Sequence, residues 1–327
     1  MIIVKNSAFC RVSERLVFLS LRMHSETMSE RRKALAAIIV CVLFWGFSFI
    51  SIKITVAVFP PMSQGLLRFA IALVFLYFMK QKLAPGEKIK ARDIPLLMGA
   101  GLFGVTFYFF CENNGVALVT ASEASIAIGS IPVLTMIADS LSMKFARNKN
   151  SVRAQTAAGI GIRQWMGAFI SIIGVWLVAG VSFALSGSVR GYVYMAGAAI
   201  FWVVYTLLTR PLFSRCSRIY IVFWQSAAGF VGFIPFAIME FNQWGRPDMP
   251  VILHLVFLSV CCSALGYWYY ARSLEVLGMS VSAIFINLIP LVTAVFGFIV
   301  MGDRLTPLQW LGAVFVIGGV YLSMISN

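Results

Sequence analysis

Ten apolar runs, each close to the roughly 20 residues that one helical crossing of a bilayer takes, leave this chain almost nothing from which to build a water-soluble core. They lie at about residues 35–57, 64–80, 94–111, 123–143, 164–183, 191–209, 219–240, 251–271, 280–301 and 307–325. None alternates polar with apolar residues as a barrel strand does. Backbone amides in lipid must bond within their own segment, so the runs read as helices. Of the 327 residues, 60% are hydrophobic and 12% charged, against about half and a quarter in soluble domains. The expected fold class is an all-α membrane protein with ten transmembrane helices, which excludes an ordinary soluble enzyme.

A net charge of +14 would suggest nucleic acid or an acidic surface as partner if the basic residues gathered on one soluble face. They lie between the runs instead. Assigning loops alternately to the two sides puts twenty-one of the 26 Lys and Arg on one side and only Arg190, Arg246 and Arg304 on the other, with Lys53 and Arg68 inside spans. Cytoplasmic loops hold the excess of positive charge, so both termini are expected in the cytoplasm, in a multi-pass protein of the cell membrane that has no nucleic-acid partner. Residues 1–27 hold a short apolar patch, Leu16 to Leu21, and precede a second methionine, Met28. They read as a mis-assigned start or a loose tail. The six cysteines have neither CxxC nor Cys/His spacing, and no metal or disulfide is expected.

The chain repeats itself. Leu43-Phe44-Trp45 returns as Ile200-Phe201-Trp202 at an offset of 157, and Ile131-Pro132-Val133-Leu134-Thr135 returns as Ile289-Pro290-Leu291-Val292-Thr293 at 158. Gln164-Trp165-Met166-Gly167-Ala168 reappears as Gln309-Trp310-Leu311-Gly312-Ala313 at 145. The drop of thirteen locates an insertion in the basic loop that holds Lys144, Arg147, Lys149 and Arg153. The expected organisation is a tail over 1–33, a first five-helix repeat over 34–186 and a second over 187–327. Five is odd, so the second copy enters the membrane from the opposite face. That is the inverted repeat of many secondary transporters, whose halves exchange packings around one central site. Duplication that only built a stable bundle is the plainer account.

The Phe44-Trp45-Gly46 opening, Leu67-Arg68-Phe69, the Pro132 and Pro290 spans and Gly302-Asp303-Arg304-Leu305 before Gln309-Trp310 resemble the EamA family of the drug/metabolite transporter superfamily, over about residues 34–325. The resemblance implies ten helices with both termini cytoplasmic, and small metabolites, often amino acids or related compounds, moved through a central cavity. It also implies that span five against span ten is a candidate homodimer contact. The first half departs from the family pattern: it has the basic insertion where the second has Gly302-Asp303-Arg304-Leu305.

Ionisable groups inside spans are costly and are functional candidates for that reason. Lys53, Arg68, Glu112 and Glu123 fall toward the outer ends of the first four spans and carry no net charge together. They form an expected outer gate or coupling set. Snorkelling to the interface is the competing account for Lys53 and Arg68. Gln225 stands at the repeat position of Arg68, and Arg210 at that of Lys53, so the outer end is expected to be the more ionised gate. If a proton is coupled, Glu112 or Glu123 carries it, because apolar surroundings raise a carboxyl pKa. Asp139, near an inner end, reads as solvated or paired with Lys144.

Pro132 and Pro290 each remove a helix hydrogen bond and free the carbonyl four residues earlier, at Ile128 and Ile286. Gly129, Ser130 and Asn287 lie beside these breaks and are the expected substrate position. A packing kink, with Asn287 bonding a neighbouring helix, is the alternative. Trp45, Tyr108, Trp202, Tyr205, Tyr267 and Tyr270 complete the expected cavity, since such rings offer an apolar face, a polar tip and attraction for cations. Gly167, Gly174, Gly312, Gly318 and Gly319 place small residues along spans five and ten and allow close helix contact. There is no P-loop, GxGxxG, HExxH or GxSxG, and no cofactor is expected. The favoured reading is a secondary-active exporter of small organic solutes. A non-transporting scaffold or receptor, and less so an intramembrane enzyme, are the alternatives.

Overall fold

Every described element is helical. The computed structural model describes residues 6–119, 124, 127–148, 161–178, 188–296 and 306–325, with side chains from Met28 onward except at 143–148. Eight helices are long and apolar enough to cross a membrane: α1 Met28–Val56, α2 Pro61–Leu83, α3 Ala91–Leu118, α6 Val189–Ser214, α7 Arg218–Gln243, α8 Met249–Val276, α9 Met279–Phe296 and α10 Pro307–Met324. Two shorter apolar helices stand in the remaining expected places, α4 Ala127–Ser142 and α5 Ile162–Val178. The runs read as spans four and five extend into residues outside the described set. Helix α1 belongs to a longer helix, Asn6–Val56, so residues 6–27, expected to be a mis-assigned start or a loose tail, continue it as helix.

Helix starts follow from local chemistry. Pro61 opens α2 at a position whose N–H has no helical partner in any case. Thr306 and Gln309 form a reciprocal capping box at the start of α10. The repeated Gln-Trp motif thereby has a physical role. Gln164 Oε1 accepts from Gly161 N at 3.1 Å as Gln309 Oε1 accepts from Thr306 N at 2.8 Å, so each glutamine closes the first turn of its helix.

Polar contacts sort the helix ends into two groups. At one end Arg272 pairs with Glu30 at 2.7 Å, Arg31 donates to Met324 O, Arg215 pairs with Asp93 at 2.9 Å and Arg218 with Glu275 at 3.2 Å. That end gathers the starts of α1, α3 and α7 with the ends of α6, α8 and α10. At the other end Gly245 N donates to Val58 O, Ser188 N to Leu118 O and Gln309 Nε2 to Val178 O. Helices α1 and α6 therefore run in opposite directions. Helices α2 and α7 pack along their length with a glutamate at each junction: Glu240 accepts from Met62 N and Ser63 N, and Glu87 accepts from Ser217 N. A carboxylate at a helix N-terminus meets unpaired amides and the positive end of the helix dipole.

Helices α5 and α10 meet through glycines. Gly167 lies on Gly319 O, Gly174 on Gly312 O and Gly312 on the backbone of Val178, and a Cβ at any of them would overlap its neighbour. Nothing lies within 4 Å of a Cβ at Gly318. Gly174→Val is expected to cost about 1–3 kcal/mol through overpacking, whereas Gly318→Ala costs nothing. Thermal unfolding of the two purified variants in detergent checks the contrast, and equal losses would mean that backbone approach is not what holds this pair.

Helices α3 and α8 each contain a wide π segment, Leu102–Phe107 and Leu258–Gly266, at matching repeat positions. From each, one carbonyl accepts from an aromatic donor: Tyr267 Oη donates to Gly104 O at 2.8 Å and Trp45 Nε1 to Cys262 O at 3.1 Å. Such bulges occur mostly as single wide turns, frequently at functional sites. Here each is followed directly by a tyrosine that lines the central cavity, Tyr108 and Tyr267.

Candidate functional site

A narrow cavity lies where α1, α2, α3, α4, α6, α8 and α9 converge. Of the residues expected to carry function, Trp45, Tyr108, Trp202, Tyr267, Arg68 and Glu112 line it. Trp45 and Trp202, equivalent by repeat, meet edge to face with ring centroids 5.3 Å apart. Tyr108 and Tyr267 flank Trp202 at 4.9 and 5.8 Å. Tyr205 and Tyr270 are fully buried behind this layer at 5.1 and 5.2 Å from Trp202, and Trp202 Nε1 donates to Tyr270 Oη at 3.2 Å. They support the wall without lining the cavity.

Both charged residues of the cavity are buried, Arg68 at 2% and Glu112 at 5% exposure. Arg68 Nε donates to Ser263 Oγ at 2.6 Å, and its guanidinium lies 4.4 Å over the Phe109 ring. Its Nη1 is buried with no hydrogen-bond partner. Tyr108 Oη donates to Glu112 Oε1 at 2.7 Å. Neither side chain takes part in a described salt bridge, so the two share one cavity without pairing.

The proline breaks reach the cavity through other residues than those expected. Ile128 and Ile286, whose carbonyls Pro132 and Pro290 release, line it together with Ile131 and Ile289. Gly129 faces Val175 of α5. Ser130 turns its hydroxyl back to Ala127 O at 2.6 Å and borders a separate apolar groove between α4 and α5. Asn287 Nδ2 donates to Ser171 Oγ on α5 at 2.6 Å, the neighbour-helix bond of the alternative reading, while its Oδ1 has no partner. Lys53 is exposed and lies off the cavity. Glu123 lies outside the described residues.

Sequence reasoning missed one cluster. Asp139, expected to be solvated or paired with Lys144, is 8% exposed and pairs with Arg210 at 2.5 Å. Its second oxygen accepts from Ser280 Oγ at 3.1 Å. This joins α4, α6 and α9 at the end where basic residues concentrate, whereas the outer end was expected to carry the stronger ionic gate. Arg210 as the counterpart of Lys53 was the available clue. Among the described residues no three His, Cys, Asp or Glu side chains gather as a metal site.

Helices threaded in alternating directions around a buried chamber with aromatic and charged walls define a multi-pass membrane protein with a candidate solute site. The chain belongs to the EamA-like transporter family, whose model matches residues 32–152 and again 189–325. It is thus a membrane transporter by family and not an enzyme. It is 27% identical over 283 residues to an uncharacterized transporter of Archaeoglobus fulgidus, covering 86% of this chain and 95% of that one. It is 24% identical over 290 residues to a "Probable terminal-alkyne amino-acid exporter" of Streptantibioticus cattleyicolor, covering 89% and 93%. It is also 24% identical over 316 residues to a "Probable amino-acid metabolite efflux pump" of Escherichia coli, covering 91% and 96%. A chain in a crystal structure superposes with a TM-score of 0.70 at 15% identity, covering 89% of this chain and 96% of that one, which is a likeness of fold.

Proposed function

We propose that this protein is a secondary-active exporter of small organic solutes, an amino acid, amine or related amphiphile, that works by alternating access in the cell membrane. In this reading it has ten spans in two inverted repeats, residues 34–186 and 187–327, with both termini cytoplasmic. The observation that carries the reading is the central cavity, where Trp45 and Trp202 from corresponding helices meet beside two buried charges. The two separate matches to one family model, the paired π segments and the opposed directions of α1 and α6 all support a duplicated, inverted origin. The basic bias of the loops supports the orientation. The names of the relatives favour an amino-acid-related cargo and outward movement.

In this mechanism the Arg210–Asp139–Ser280 cluster is a latch that closes one end of the chamber while α4, α6 and α9 are together. Arg68 and Glu112 meet the solute. Proline-broken α4 and α9 supply the bending, and a proton gradient or exchange supplies the drive. A homodimer would have to use outward faces of α5 and α10, since their glycine faces are occupied by each other.

The experiment is flux. Purified protein in liposomes, loaded with a mixture of radiolabelled amino acids and amines, is expected to accelerate exchange of at least one solute several-fold over protein-free vesicles. Binding of a solute with no flux in either direction would favour the receptor reading. A reporter or labelling assay that placed residue 187 on the same side as Asn327 would overturn the inverted topology.

A further inference from the structure

We infer that the cavity is built for a zwitterion, with Arg68 Nη1 taking a carboxylate and Glu112 an ammonium group. This rests on the reading of the cavity as the solute site. It goes beyond that reading by excluding simple amines and simple carboxylates as good ligands.

Two opposite charges buried in one cavity would ordinarily form an ion pair. Among the described residues these two form no salt bridge. The hydrogen-bond partners of Arg68 and Glu112 are neutral, Ser263 and Tyr108, and Arg68 Nη1 remains a buried donor without an acceptor. Native interiors seldom leave such a group unsatisfied, and its ligand is a natural candidate to complete it. A planar guanidinium fork matches a carboxylate in geometry as well as charge.

The scaffold does not require these charges. The second repeat folds the same helices with Gln225 where the first has Arg68, at offset 157, and Tyr270 where it has Glu112, at offset 158. Both counterparts are fully buried, and neither lines the cavity. Gln225 instead bonds Thr209 Oγ1 at 2.9 Å, and Tyr270 accepts from Trp202. Charge at these positions is therefore particular to the first repeat, where both side chains line the cavity. A ligand with one charge would satisfy one side chain and leave the other buried and unmatched, a penalty that sites built around polar recognition turn into selectivity. The ring faces of Tyr108 and Trp202 add attraction for the ammonium end. The wall of Ile128, Ile131, Ile286 and Ile289 offers no polar side chain, so the cargo carries an apolar side chain.

The test is equilibrium binding to the purified protein in detergent, with L-phenylalanine and L-leucine as zwitterions, L-phenylalanine methyl ester as the cation and 3-phenylpropanoate as the anion. At least one zwitterion is expected to bind about tenfold to a hundredfold more tightly than the ester and the propanoate, the factor of a charge-assisted hydrogen bond. Arg68→Gln is expected to erase the preference over the ester, and Glu112→Gln the preference over the propanoate. The charge-neutral double variant guards against misfolding of either single one, and the comparison of probes on the unmodified protein needs no variant. No binding of either zwitterion, or equal affinity for zwitterion and ester, would overturn the inference. So would a loss in Arg68→Gln that is the same for all probes. Zwitterion binding without flux would sink the exporter and leave this assignment standing, while flux of an amine without zwitterion preference would do the reverse.

Discussion

Trp202→Ala is expected to destabilise the protein by about 3–5 kcal/mol, the usual cost of truncating a buried tryptophan. The indole is 3% exposed and lies within 6 Å of the rings of Trp45, Tyr108, Tyr205, Tyr267 and Tyr270. Each well-oriented ring pair contributes about 0.5–1.5 kcal/mol beyond its buried area, so five contacts go with one side chain. Trp202→Phe separates the parts of this loss. It retains much of the ring packing but removes the N–H that reaches Tyr270, which is worth about 1 kcal/mol. Unfolding in detergent should rank the proteins wild type, Trp202→Phe, Trp202→Ala. If alanine cost no more than phenylalanine, the aromatic cluster would be filler and not a packed wall.

The second large effect concerns Arg210 and Asp139. Removing one partner of a fully buried ion pair costs about 3–5 kcal/mol, because the other charge is left stranded. The Arg210 side chain keeps 37% exposure and water shares the load, so about 2 kcal/mol is expected for Arg210→Ala. The double variant with Asp139→Ala should recover part of that loss, as removal of both charges strands neither. If the cluster is the latch proposed above, breaking it also opens its end of the chamber. A cysteine introduced by Ile131→Cys, in a background whose exposed native thiols are replaced, should then react several-fold faster with a charged maleimide applied from that end. Unchanged labelling would reduce the cluster to a structural tie.

Much of this architecture was legible because lipid imposes a simple grammar. Long apolar runs must be helices, and the Trp45/Trp202 and Pro132/Pro290 echoes stand in the sequence itself. Arg68 and Glu112 were legible as charges inside apolar spans, and both line the cavity. What escaped were consequences of register and distance. At each proline break the rotation of the helix decides which neighbour reaches the chamber, and the isoleucines beside Gly129, Ser130 and Asn287 took that face. Asp139 finds Arg210 across 71 positions, a separation that no local pattern encodes. The π segments were hidden for the same reason, since the apolar residues of Leu102–Phe107 fit an ordinary turn equally well.

Those two wide turns have a further consequence. A π turn accommodates one residue more than an α turn, so everything beyond it is displaced by one residue's worth of rotation, about 100° in an α-helix. Tyr108 and Glu112 follow the first such turn, and Tyr267 and Tyr270 follow the second. Their orientation is set upstream, by a swelling in the backbone, as much as by their own positions in the chain. Tightening either swelling by one residue would swing a whole column of side chains to a new compass bearing, with no substitution among them.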